Sequence, residues 1–151
     1  MKIVYLIGFT LCLIILLSWS CGASASNDTA RKALLDKGTP YKPNSVRAID
    51  GDSLRLDDVL VRISNLDTPE RGGRAECDAE RFLAAIASKK AENLVNTDGL
   101  VVYPVGRDDK FRRPLVRVLI NDKDWAKIMI SENLAVPWAG KTHDWCGPMK
   151  K

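Results

Sequence analysis

Histidine occurs once in this 151-residue chain, at His143, and no Cys-x-x-Cys or His-x-x-x-His spacing appears. The ligand sets of zinc sites are therefore missing. His143 itself sits in a loop stretch and is given no role. No segment repeats and none is low in complexity, which excludes solenoid and propeller architectures. The surplus of positive charge is small, 23 Lys+Arg against 19 Asp+Glu for a net +4. A balance of that size is compatible with a nucleic-acid substrate but does not demand one, so any attraction must come from local clustering.

One stretch is almost free of charge. Lys2 is the single charged residue of the first 25, Ile3 to Trp19 is nearly all apolar, and Ala23-Ser24-Ala25 supplies the small-x-small pattern of a cleavage site. Residues 1–25 read as a secretory signal peptide, with an uncleaved membrane anchor as the alternative. Lipidation at Cys21 is disfavoured by Ser18 and Trp19 before it. After removal of the signal the net charge is about +3, since only Lys2 leaves, and the expected compartment is periplasmic or extracellular. Cys77 and Cys146 then remain as an even pair. In an exported chain they point to a disulfide that closes a loop of roughly 70 residues, with two free thiols as the alternative.

Residues 26–44 are mostly polar and broken by Gly38, Pro40 and Pro43, and read as a linker or loosely attached arm. A single domain is expected over 45–151. Val46 and Ile49 lead into Asp50-Gly51-Asp52, read as a tight turn with Gly51 at positive φ. Leu54 and Leu56 alternate with polar neighbours, and Val61 and Ile63 flank Arg62, so a β-meander is expected with Arg62 on the face opposite those two. Residues 78–95 carry a helical pattern, with Phe82, Leu83, Ile86, Ala87, Ala91 and Leu94 expected to face the core. Strands at Leu100–Val105 and Leu115–Ile120 and a second helix near Asp124–Asn133 complete the set. The order β-β-β-α-β-β-α gives an α+β chain, a small five-stranded barrel with two packed helices.

Within this frame Asp52, Arg62, Asp67, Glu70 and Arg113 form a set suited to phosphodiester hydrolysis. Asp52 and Asp67 make a hard oxygen site for Ca²⁺ or Mg²⁺. Glu70, across the stiff Pro69, is placed to activate a water as general base. Arg62 and Arg113 offer planar forks for phosphate oxygens. Each has a plainer reading: Asp67-Thr68-Pro69-Glu70 as a helix start, Asp50-Gly51-Asp52 as a turn, the arginines as solvated surface.

The stretches Ala48-Ile49-Asp50-Gly51-Asp52-Ser53, Val61-Arg62-Ile63, Leu66-Asp67-Thr68-Pro69-Glu70, Asp109-Lys110-Phe111-Arg112-Arg113-Pro114-Leu115 and Asn133-Leu134-Ala135 resemble the staphylococcal nuclease (thermonuclease) family. The resemblance spans about residues 45 to 138. It implies an OB-fold barrel and a Ca²⁺-dependent nuclease that acts on DNA and RNA and leaves 3′-phosphates. It implies Asp52 and Asp67 as metal carboxylates, with Thr68 lending its backbone carbonyl. Glu70 is then the base or water-positioning group, and Arg62 and Arg113 are the phosphate clamps. Arg112 departs from the pattern, standing where the family often has Gly. The segment from Arg71 to Glu76 is short, and no long helix is expected after Trp145-Cys146. Trp138 replaces the family's tyrosines near the expected base-stacking surface, with core packing as its alternative. The enzyme is expected to be a monomer, free of the membrane once the signal is removed. The competing expectations are a non-catalytic OB module that binds nucleic acid or a protein partner, and a Ca²⁺-stabilised structural domain.

Overall fold

The computed structural model describes residues 39–42 and 45–147. The signal-peptide reading, and most of the linker reading, fall outside them. The part of the linker stretch that is described, Thr39–Tyr41, forms β1 and pairs antiparallel with β6, Leu100–Asp108.

The described residues are α+β, with a sheet curled into a half barrel and two α-helices. The leading hairpins are β2 (Val46–Ala48), β3 (Ser53–Leu56) and β4 (Val59–Ile63), each antiparallel to the next. This is the expected meander. The sheet order is β1-β6-β7-β4-β3-β2, where β7 is Pro114–Ile120. β4 and β7 run parallel, with Arg62 opposite Leu115 and Ile63 opposite Val116. A short β8 (Lys123–Asp124) returns on β7 across Asn121-Asp122, both at positive φ as a two-residue type I′ hairpin requires. β5 (Leu66–Asp67) and β9 (Val136–Pro137) form a separate two-stranded sheet. The described residues thus hold nine strands where five were expected. The extra ones, β1, β5, β8 and β9, have two or three residues each, too few for a hydrophobic period to register.

Helix α1 covers Asp78–Val95, the range read from the sequence, and buries Ala87, Ala91 and Leu94 of the expected stripe but not Phe82 or Ile86. Ala84, Ala87, Ser88, Ala91, Leu94 and Val95 face the sheet, while Phe82 is 67% and Ile86 40% exposed. Small residues let the helix axis approach the sheet closely, and the bulky pair is turned outward as a result. Helix α2, Trp125–Ser131, starts at Asp124, whose carboxylate accepts the Ala126 N–H at 3.0 Å as an N-cap. Trp125 is wholly buried, and its indole N–H donates to the Gly51 carbonyl at 3.1 Å. That bond ties α2 to the turn carrying Asp52. No helix among the described residues is long and apolar enough to cross a membrane. Cys77 and Cys146 are joined as a disulfide, with Cα atoms 6.0 Å apart. By the loop-entropy account it contributes about 4 kcal/mol.

Candidate functional site

Asp52 closes the turn ahead of β3. Its amide donates to Asp50 Oδ1 at 3.2 Å, and its carbonyl accepts the Ile63 N–H at 2.8 Å, so both flanks of the residue are fixed. Gly51 does not take a positive φ, contrary to the sequence reading. Glycine is required there for close approach, since a Cβ would lie 2.7 Å from Thr68 Cγ2 and 3.0 Å from its Cβ. The turn therefore rests directly on Thr68.

Register brings the charges together. Ser53 sits opposite Arg62 across β3 and β4. From there Arg62 Nη1 donates to Asp52 Oδ1 at 2.7 Å, while Nη2 reaches the Leu66 carbonyl at 3.2 Å and lies 3.6 Å from Asp67 Oδ1. Asp52 and Asp67, each 4% exposed, thus share one guanidinium on one face of the molecule. Asp67 Oδ2 accepts the backbone N–H of His143 at 2.8 Å. Ser53 Oγ bridges onward, donating to Asp52 Oδ1 at 3.0 Å and accepting from Arg113 Nη1 at 3.3 Å.

Arg113 is held by Asp109, which accepts from its amide at 2.8 Å, its Nε at 2.7 Å and its Nη2 at 2.7 Å. Burial raises the Asp109 carboxyl, but the hydrogen bonds from Arg113 and the Phe111 amide, with the Arg113 charge, outweigh it and hold it below the ordinary value. Arg112 has φ +63°, so the loop keeps the left-handed backbone that suits glycine despite the side chain. Phe111, 67% exposed, lies 5.5 Å from the Arg113 guanidinium, and Trp138, 43% exposed, lies 5.6 Å from that of Arg62. Trp138 is therefore not core packing.

Glu70 lies at the rim. Its carboxylate pairs with Arg74 Nε at 2.9 Å, and Arg74 Nη2 lies 3.8 Å from Asp50 Oδ2, so its link to the cluster runs through Arg74. Its backbone is fixed by Glu80, a buried carboxylate in the first turn of α1 that accepts the N–H of Glu70 at 3.0 Å and of Glu76 at 2.6 Å. Ser53, Asp109, Arg74, Glu80 and the His143 amide were not singled out from the sequence. Ser53 and Asp109 adjoin motif residues and could have been found. Glu80 accepts from backbone amides and His143 donates through its own, so neither leaves a pattern.

Burial pushes the Asp52 carboxyl up to about 7, with Asp50 adding to the rise and Arg62, Ser53 and Thr68 opposing it. No group of three or more His, Cys, Asp or Glu side chains that could hold a metal occurs among the described residues. The donors that converge here, the carboxylates of Asp52 and Asp67, are hard oxygens. They fit a divalent cation that takes most of its remaining oxygens from water. A groove of about 450 Å³ along α1, lined by Ile86, Lys90, Glu132 and Leu134 among others, shares no residue with the cluster. No protein-family model matches this chain, and no curated protein matches it.

Proposed function

We propose that this chain is an exported, calcium-dependent nuclease of the staphylococcal nuclease type, hydrolysing phosphodiester bonds of DNA and RNA to leave 3′-phosphates. The observation that carries the reading is the convergence of Asp52 and Asp67 on Arg62, with Arg113 joined to them through Ser53. The order of β2, β3, β4, β7 and β6, with β4 parallel to β7, supports an OB-type barrel, a fold often partly open. The disulfide supports an oxidising compartment outside the cytoplasm.

Asp52, Asp67 and the Thr68 carbonyl would hold the calcium ion. When bound, it neutralises charge on the phosphate and its surroundings. Arg113 is locked to Asp109 through Nε and Nη2 with Nη1 on Ser53, and Arg62, beside Trp138, is engaged by Asp52, Leu66 and Asp67, so each would exchange one of these contacts for phosphate once the ion takes the carboxylates. Both guanidiniums would contact non-bridging oxygens as charge builds on the five-coordinate phosphorus. Glu70 would take a proton from the attacking water. The new bond forms from that water oxygen to phosphorus, the bond to the 5′ oxygen breaks, and that oxygen takes a proton from bulk water to become the 5′-hydroxyl. For this Glu70 must part from Arg74, which half-exposed side chains at the rim permit.

The test is single-stranded DNA with the purified chain, first with Ca²⁺ and then with chelator. Cleavage that requires Ca²⁺ and falls at least ~100-fold in Glu70→Gln is the expected result. One contact favours a second reading, a non-catalytic nucleic-acid-binding OB module: Glu70 is already ion-paired. Binding without cleavage would establish that reading instead.

A further inference from the structure

We propose that the Cys77–Cys146 disulfide is a redox-sensitive clamp that holds the C-terminal segment across the cluster and that a dithiol reductant opens. The clamp is independent of the nuclease reading; only its effect on hydrolysis rests on that reading.

After β9 the chain forms no strand or helix from Trp138 to Cys146, and Trp138 to Asp144 are all exposed. Trp145 is half-buried and packs edge-on against His143, but a segment that buries little more than one indole has little stability of its own. It is nevertheless held against the cluster. The Trp138 N–H donates to the Asn65 carbonyl at 3.2 Å, the Trp138 ring lies against Arg62, and the His143 N–H donates to Asp67 Oδ2 at 2.8 Å. The buried Cys146 is its covalent anchor.

The other end of the bond touches the cluster as well. Cys77 is the N-cap of α1, its sulfur accepting the Glu80 N–H at 3.4 Å, and Glu80 holds the amides of Glu70 and Glu76. One covalent bond therefore braces Asp67 from the tail and the Glu70 loop from the helix. Reduction by a dithiol breaks the S–S bond and leaves two thiols, while the reductant's sulfurs close to a disulfide. The tail then loses its anchor, and Asp67 loses a donor to its carboxylate.

The experiment uses the ¹⁵N-labelled full chain, oxidised and reduced by a dithiol, and a His143→Pro variant that removes the donor with the disulfide intact. Amide hydrogen exchange, calcium titration and single-stranded DNA cleavage are read on each. Reduction is expected to speed exchange at His143 by at least about tenfold, because its protection depends on this one charged acceptor. Calcium affinity is expected to weaken by roughly tenfold, because an Asp67 carboxylate no longer held in place by the His143 amide must be ordered when the ion binds, and cleavage to fall with it. His143→Pro is expected to reproduce the loss of calcium affinity, whatever reduction does to the fold. Unchanged His143 exchange with both thiols free overturns the clamp, and so does parental calcium affinity in His143→Pro. Failure of the oxidised chain to cleave DNA overturns the nuclease reading instead, and the exchange result then decides the clamp.

Discussion

Acidification is expected to strip a divalent cation from the cluster by way of Asp52. In the folded chain burial first, then Asp50, lifts this carboxyl to about 7 against an ordinary value of 3.8, with Arg62, Ser53 and Thr68 only partly opposing the rise. At pH 5 about 99 of every 100 ion-free folded molecules would carry the proton, which a cation must displace. Apparent calcium affinity is therefore expected to fall roughly a hundredfold between pH 8 and pH 5, with about one proton released per ion bound near pH 6. The same carboxyl sets the sign for stability. The folded state binds the proton more tightly than the unfolded state, so the ion-free chain loses stability as pH rises from about 4 to 7 and regains it on acidification. Calorimetric titration in two buffers of different ionisation enthalpy measures both affinity and proton release. Asp52→Asn is expected to abolish the proton release and flatten the pH slope. An affinity constant from pH 8 to pH 5, or proton release that persists in Asp52→Asn, would refute the assignment.

Arg62→Leu leaves two buried carboxylates without their shared partner, and is expected to cost about 3–5 kcal/mol at pH 8 and less at pH 5 in urea unfolding. An equal loss at both pH values would show that the pairing is not what was removed. Gly51→Ala drives a methyl into Thr68, with contacts of 2.7 Å and 3.0 Å. A loss of about 1–3 kcal/mol is expected in thermal unfolding, and parental stability would mean that the turn does not rest on Thr68. Arg112→Gly relieves a left-handed backbone at φ +63°. It is expected to stabilise the fold by roughly 0.5–1 kcal/mol, after the larger chain entropy of glycine is offset, and destabilisation would point to a packing role for the Arg112 side chain.

The sequence by itself determined the elements long enough to carry a period. The α1 range Asp78–Val95 and the β2–β3–β4 meander were legible because apolar spacing is a local property. So were the residue types of the cluster, since carboxylates and guanidiniums keep their chemistry wherever they lie. The face of α1 was legible in part: Ala87, Ala91 and Leu94 are buried as expected, but Phe82 and Ile86, core by type, are turned outward where alanines pack against the sheet. Gly51 was recognised as a special position, but the cause, a neighbour 17 residues further along, is a contact and not a dihedral. Only tertiary structure put Ser53 opposite Arg62, laid β4 alongside β7, and so brought Asp52, Asp67 and Arg113 to one place. It alone set the His143 amide on Asp67, because a backbone donor is the same at every residue and its partner is fixed by where the chain passes.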